Sequence, residues 1–354
     1  MAVFFAAHAA TEADSCAYDA CGTAAEAWRA ARYTSYKAQQ NCVRRCDPLP
    51  PSPPLPLPPP PRTEWTHDTC VAATSISVDG APRSVHIVRN AGGGTSRCCR
   101  HWPVAAPARV DSDGAVELML EPRPAGRSNR NGARVYLADA CTEGAYSPSM
   151  YASFALLGKT LAFTVDLSTS FCGCNVAFYL AAMPGNTAPG NCGGDFYCDA
   201  NQVCGVHCAE IDLMEANVHA FKAVAHTSHD GDGVGNGLGG GSTAFSSAEY
   251  GPGASKIDTR RPFRVHTSFA EGRMGTTLEQ EGRTIGPFAM APPSYVRRLA
   301  AAFASGFAIV ASYWSSDDMW WLSRGPCAVE DQDRCGTTVR FSDIALCTGD
   351  VLCP

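Results

Sequence analysis

The stretch Glu210-Ile211-Asp212-Leu213-Met214-Glu215 places three carboxylates within six residues, interleaved with apolar side chains. Alternation from Glu210 to Leu213 is a strand pattern, with Glu210 and Asp212 on one face and Ile211 and Leu213 on the other. Glu215 breaks the two-residue period. It rejoins the acidic face only if one extra residue, expected to be Met214, is taken up in a bulge. Like charges crowded on one strand face cost stability, so a purely structural strand has little reason to carry them. Hydrolysis of a glycosidic bond uses such a set. A retaining mechanism needs two carboxyl groups roughly 5–5.5 Å apart, one ionised and one protonated. A third acid between them helps to separate their pKa values. The competing reading is a solvated acidic edge strand.

The rest of the chain fits an all-β domain. Of 354 residues, 33 are glycine and 25 proline, and only 18% are charged, a balance that favours strands and turns over long helices. Strand-like segments run from Ala115 to Leu120, Arg134 to Leu137, Thr160 to Asp166, Ala177 to Ala182, Phe263 to Phe269 and Phe307 to Trp314. Many short strands between Gly- and Pro-rich turns predict a two-sheet sandwich or jelly roll with short helices and long loops. One helix is expected from Pro293 to Ala304.

A net charge of −6 without a basic block gives nucleic acid no footing, and no apolar run reaches transmembrane length. Eighteen cysteines are too many for an ordinary cytosolic enzyme. Cys204, His207 and Cys208 raise a zinc reading, but the spacings are irregular and paired CxxC motifs are absent, so disulfides of a secreted protein are expected. Met1 to Ala10 has the short apolar run of a partial signal peptide without its basic start.

Residues 48–61 read PLPPSPPLPLPPPP, ten prolines in fourteen positions. This predicts an extended polyproline linker over residues 48–62. Before it, residues 11–47 form a small module with an Ala-rich helical stretch and four cysteines, Cys16, Cys21, Cys42 and Cys46, which allow three pairings. Trp28, Tyr33 and Tyr36 are either a carbohydrate-binding set or that module's own core. Residues 63–354 make the main domain.

Several segments, in order, resemble glycoside hydrolase family 7, the cellobiohydrolases and endoglucanases. They are NGARVYL (131–137), FALLGKTLAFTVDLS (154–168), CGCNVAFYLAAM (172–183), CAEIDLMEAN (208–217), YGPGASKIDTRRPFRV (250–265), SGFAIVASYW (305–314) and FSDIALC (341–347). The resemblance covers about residues 63–350. It implies a concanavalin-like β-sandwich, a β-glucan polysaccharide substrate such as cellulose, no cofactor or metal, and a secreted monomer. It implies Glu210 as nucleophile, Glu215 as general acid and then base, and Asp212 between them. His226, eleven residues after Glu215, matches the family's active-site histidine, with His229 as a nearby competitor. Asn175, Tyr179, Tyr197 and Asp199 match polar cleft positions. Trp314 and Trp321 match aromatic platforms of the product-side subsites. Trp320 and Trp321 would point to opposite faces if extended, so only one would reach sugar. Cys198 and Cys208 resemble a family disulfide.

Departures from the family pattern also matter. The chain is short between Tyr197 and Glu210, Gly231 to Gly241 replaces a longer loop, and Met214 stands where the motif has Trp. Short loops predict an open cleft and endo-acting cleavage. DGDGVGNG at 230–237 hints at a calcium loop but lacks a closing Glu, so a flexible loop is expected there. Two alternatives share the acidic motif or the sandwich: a family 16-type β-1,3(1,4)-glucanase, and a non-catalytic carbohydrate-binding wall protein.

Overall fold

The computed structural model describes residues 65–91, 106–123, 130–238, 246–323, 326–349 and 352–353. The expected signal segment, N-terminal module and proline linker lie outside these residues.

Strands dominate. The first group is β1 (Cys70–Val78), β2 (Ala81–Arg89), β3 (Ala108–Val110), β4 (Val116–Met119), β5 (Ala133–Ala138) and β6 (Lys159–Asp166). Next come β7 (Cys174–Ala181), β8 (Glu210–Ala216), β9 (Phe221–His226), β10 (Val234–Leu238), β11 (Tyr250–Gly251) and β12 (Ile257–Asp258). The last are β13 (Phe263–Ala270), β14 (Arg273–Gln280), β15 (Arg283–Ala289), β16 (Ala308–Ser315) and β17 (Thr338–Thr348). Hydrogen bonds link thirteen of them in the order β10-β9-β8-β7-β16-β5-β2-β1-β17-β6-β13-β14-β15, while β4 pairs with β17 and β3 beside that path and β11 pairs with β12 alone. The path doubles back on itself, so that β7 lies over β6 and β17. Phe178 of β7 stacks on Phe163 of β6 with ring centroids 3.9 Å apart, and Phe341 of β17 closes on Phe178 at 5.5 Å. This is the all-β sandwich the sequence pattern predicts.

The alternation explains which face goes inward. In β6, Leu161, Phe163 and Val165 are fully buried while Thr164 and Asp166 are not. β7 is buried along its whole length because Val176, Phe178 and Leu180 fill the core and Asn175, Ala177, Tyr179 and Ala181 line the other face. Truncating Phe178 to Ala would remove the ring on which two others pack. We expect a loss of about 3–5 kcal/mol in urea unfolding, read as a lowered midpoint with unchanged slope.

Six disulfides join described residues: Cys70–Cys141, Cys172–Cys327, Cys174–Cys335, Cys192–Cys204, Cys198–Cys208 and Cys347–Cys353. Cys204 and Cys208 are therefore in bridges, which displaces the zinc reading for that pair. The Cys198–Cys208 pairing is the one the family resemblance implied. Cys172–Cys327 and Cys174–Cys335 close loops of 155 and 161 residues and fix the start of β7. Bridges that close long loops restrict the unfolded chain most.

Four expectations need correction. The helix expected from Pro293 to Ala304 is two short helices, α1 (Pro293–Arg298) and α2 (Ala300–Ser305). They break at Leu299, whose backbone leaves helical geometry (φ −88°, ψ 1°) and whose side chain is buried. Trp320 and Trp321 are not extended but open helix α3 (Trp320–Ser323), so the opposite-face argument does not apply. The glycine-rich 230–237 segment is not simply a loop, because Val234 to Leu238 pair with β9. Gly235 makes this pairing feasible, since a Cβ there would fall 2.5 Å from the Ala223 carbonyl. Finally, Met214 is paired opposite Phe178, and Leu213 is the residue left without a partner on β7. No helix among the described residues is long and apolar enough to cross a membrane.

Candidate active site

The register of β8 sets the site. Glu210 pairs with Ala181 of β7 and His226 of β9, Asp212 with Tyr179 and Val224, and Glu215 with Ala177 and Lys222. Directly paired residues share a face, so the bulge between Asp212 and Glu215 puts all three acids on one side. The rows continue across β16 into β5, from Tyr179 through Val310 to Tyr136 and from Ala177 through Ser312 to Arg134. Asn175, on the same face of β7 as Tyr179, pairs with Trp314. Ile211 and Met214 turn the other way and are fully buried in the core.

Each acid has specific partners. The Asn175 amide donates to Glu215 Oε1 at 3.1 Å. The Ala200 N–H donates to Glu210 Oε2 at 3.3 Å. His226 Nε2 lies 2.9 Å from Asp212 Oδ2, and its Nδ1 lies 2.9 Å from the Asp230 carbonyl. Ala200 belongs to a tight loop held by the Cys192–Cys204 and Cys198–Cys208 bridges. The same loop carries Tyr197 and Asp199. Tyr197 and Tyr179 share a hydrogen bond of 3.0 Å between hydroxyls. Asp199 is buried and accepts from the Val203 N–H at 2.8 Å.

This crowding shifts protons. Burial pushes Glu215 up to about 7, and Asp212 adds to the rise, while Lys222, His226 and the Asn175 amide pull the other way. Burial likewise raises Glu210, reinforced by Asp212, Asp199 and Glu215. Asp199 is pushed up to about 6, again mainly by burial. Burial opposes a charged His226, but the hydrogen bond and charge of Asp212 outweigh it, so the imidazole is raised. Protons leave such a set in steps that belong to the group rather than to one carboxyl. Near neutrality the cluster can therefore keep a proton to donate.

The sequence-predicted residues divide as follows. Glu210, Asp212, Glu215, His226, Asn175, Tyr179, Tyr197 and Asp199 converge on this one face. His229 is exposed and meets the His207 ring edge-on, whereas His226 reaches Asp212. Trp314 and Trp321 are close to the acids through Asn175 and Lys222. They stack on one another, with centroids 6.2 Å apart and planes 20° apart, which occupies one face of each ring. Trp320 points outward and is 39% exposed.

Sequence reading missed a buried network beside them. The Arg134 guanidinium lies 3.6 Å from the Tyr197 ring centre and 3.9 Å from Asp195 Oδ2. Tyr136 donates to Asp195 Oδ2 at 2.7 Å and accepts from Arg134 Nε at 3.0 Å. Asp195 Oδ1 in turn accepts the Tyr197 N–H. The signal was an arginine two residues from a tyrosine inside an apolar strand, which puts both on one face. Lys222 was also missed; its backbone pairs opposite Glu215, and its ammonium lies 5.7 Å from the Trp321 ring centre. Glu210, Asp212 and His226 bring two carboxylates and an imidazole nitrogen within 4.8 Å of one another, and both ring nitrogens are already taken up by Asp212 and the Asp230 carbonyl rather than left for a metal.

Residues 108–204 match the family model described as Glycosyl hydrolase family 7. Two curated relatives carry similar sequences. Endoglucanase EG-1 of Hypocrea jecorina is 29% identical over 75% of this chain. The probable endo-beta-1,4-glucanase celB of Aspergillus clavatus is 25% identical over 60% of it. These matches bear out the resemblance to glycoside hydrolase family 7. The chain spans 65% of the length of each of these relatives. The fold agrees with solved family 7 structures. A cellobiohydrolase from Daphnia pulex superposes with a TM-score of 0.55 at 16% identity, over 81% of this chain and 98% of that one. The Humicola insolens endocellulase EGI gives 0.52 at 18% identity, over 79% and 96%. The family 7 model match contains Arg134, Asn175, Tyr179, Tyr197 and Asp199 and stops short of Glu210.

Proposed function

We propose that this protein is a secreted, retaining β-1,4-glucan hydrolase of the cellulase type. The observation that carries the reading is the placement of Glu210, Asp212 and Glu215 on one face of β8, with burial holding a proton on the set near pH 7. Glu215 donates that proton to the leaving glycosidic oxygen while Glu210 attacks the anomeric carbon. The Ala200 N–H supports the ionised form of Glu210. Water then enters, Glu215 takes its proton, and the glycosyl-enzyme bond breaks. Asp212, paired with His226, raises both glutamates, so the pair holds on to a proton near neutrality.

The polar rim of Asn175, Tyr179, Tyr197 and Asp199 suits sugar hydroxyls. Trp314 and Trp321 supply aromatic surface for an apolar sugar face. Both curated relatives bear endoglucanase names, and the abbreviated loops favour an open cleft, so we assign endo action. The disulfides support secretion. Residues 63–354 form the catalytic unit in this reading, with residues 48–62 as a spacer from the 11–47 module and no second chain required.

Carboxymethylcellulose tests it. Mixed oligomers in chromatography are expected from the wild type. Predominant cellobiose would reverse the endo assignment. No product on this substrate, on xylan or on laminarin would reject hydrolysis and favour a binding protein.

A further inference from the structure

The Asp230-Gly231-Asp232-Gly233 turn, between β9 and β10, has no role in the chemistry above, yet it is built against the active-site imidazole. Asp230 Oδ2 accepts from the Tyr295 hydroxyl at 2.6 Å, and its Oδ1 accepts the Gly233 N–H at 3.1 Å. The Tyr295 oxygen also accepts the Thr227 N–H at 3.1 Å, so α1 ties Asp230 to the residue that follows β9. Gly233 has φ +62°, and a Cβ there would lie 2.4 Å from His226 Nδ1 and 2.6 Å from Cε1. The turn therefore lies flat on the ring, where only glycine fits. It presents one backbone carbonyl, that of Asp230, to Nδ1 at 2.9 Å.

A carbonyl only accepts hydrogen bonds, so Nδ1 carries a hydrogen. The other nitrogen, Nε2, faces the Asp212 carboxylate at 2.9 Å. A neutral ring would direct an Nε2 lone pair at that carboxylate. The geometry favours a hydrogen on both nitrogens. The tautomer and charge of a histidine follow from what its other nitrogen meets.

We propose that the Asp230–Gly233 turn, latched by the Tyr295 hydroxyl, is a positioning device that holds His226 as a doubly protonated ring against Asp212. The proposal rests on the glycosidase reading for its consequence but not for its geometry. The consequence is a fixed positive charge beside the carboxylates. The charged and titratable groups around the ring are Glu210, Asp212 and Glu215 on β8, Lys222 on β9, Asp230 on the turn, and Tyr295 and Arg298 on α1. His226 and Lys222 are the two cations among them that lower Glu215. Without the latch, His226 would lose its proton at lower pH, and Glu215 would keep its own to higher pH.

The test is nitrogen-15 NMR of histidine-labelled full chain, wild type beside Tyr295→Phe and Asp230→Ala, from pH 5 to 8. Both His226 nitrogens should show protonated shifts in the wild type across this range. In the variants the ring should titrate within it. A neutral wild-type ring at pH 7, or variants that match the wild type, would overturn the proposal. On soluble glucan, Tyr295→Phe should lower kcat about tenfold with KM little changed, as for a misplaced catalytic group, and move the alkaline limb upward. A merely structural defect would lower the active fraction without moving that limb. Inactivity of the wild type would count against the glycosidase reading alone, because the ring signals report the device directly. Should the variants not fold, the wild-type spectrum alone still decides the ring's state.

Discussion

Glu210→Gln is expected to lose turnover on soluble β-1,4-glucan by on the order of 10⁴-fold or more, while folding as well as the wild type. The amide keeps the shape of the side chain but cannot form the glycosyl ester. Stability should not suffer. Burial and neighbouring acids raise Glu210 above its ordinary range in the folded protein. A carboxyl raised on folding costs nothing below its unfolded pKa, and its ionised form weighs against the fold as pH rises toward the folded value. A neutral glutamine escapes that cost. The melting temperature of Glu210→Gln should thus equal or exceed that of the wild type at pH 7. Wild-type rates in this variant would remove Glu210 from the mechanism, and a collapsed fold would make it a structural residue.

Glu215→Gln should lower kcat by ~10²–10⁴-fold on unactivated glucan, the usual contribution of a positioned proton donor. The deficit should shrink on an aryl glycoside with a good leaving group, which departs without a proton. An external nucleophile such as azide should then speed the second step, because water lacks its base. The pH profile gives a separate signature. In the wild type, activity should fall as pH rises through about 7, where Glu215 loses its proton, and not near the ordinary glutamate value. That limb should vanish in the variant. Between about 4.5 and 7 the raised carboxyl also withdraws stability from the wild type, so the variant should gain in relative melting temperature across this window. An unchanged alkaline limb would assign the proton to another group.

The strand of acids was legible because period-two alternation survives until Leu213. Which residue bulges was not legible, because Leu213 and Met214 are both apolar and both end fully buried. Strand β10 was hidden for a different reason. Its glycines carry no alternating pattern, and the pairing rests on close backbone approach at Gly235. The acid-and-glycine spacing of the same segment suggested a cation loop, whereas Asp230 instead serves Tyr295, Gly233 and the His226 ring. Arg134 and Asp195 escaped notice because they meet only after the loop carrying Tyr197 folds back on β5, some sixty residues away in sequence. The helix at Trp320 follows from local packing, with Met319 and Leu322 buried against Ala220. Local pattern thus found the acids and their face. Of the partners that set their protonation, Asn175, Lys222 and His226 lie on neighbouring strands, whereas Ala200 and Asp230 come from loops whose sequences carry no period.

The central claim is a double displacement through Glu210, and the anomer of the first product tests it most directly. Proton NMR of a soluble cello-oligosaccharide, recorded in the first minutes after adding enzyme, distinguishes the two anomeric protons before mutarotation mixes them. The two-carboxylate mechanism predicts that the β-anomer appears first, with the α-anomer growing only at the mutarotation rate. Early appearance of the α-anomer would show direct attack by water and contradict the assignment of Glu210 as nucleophile.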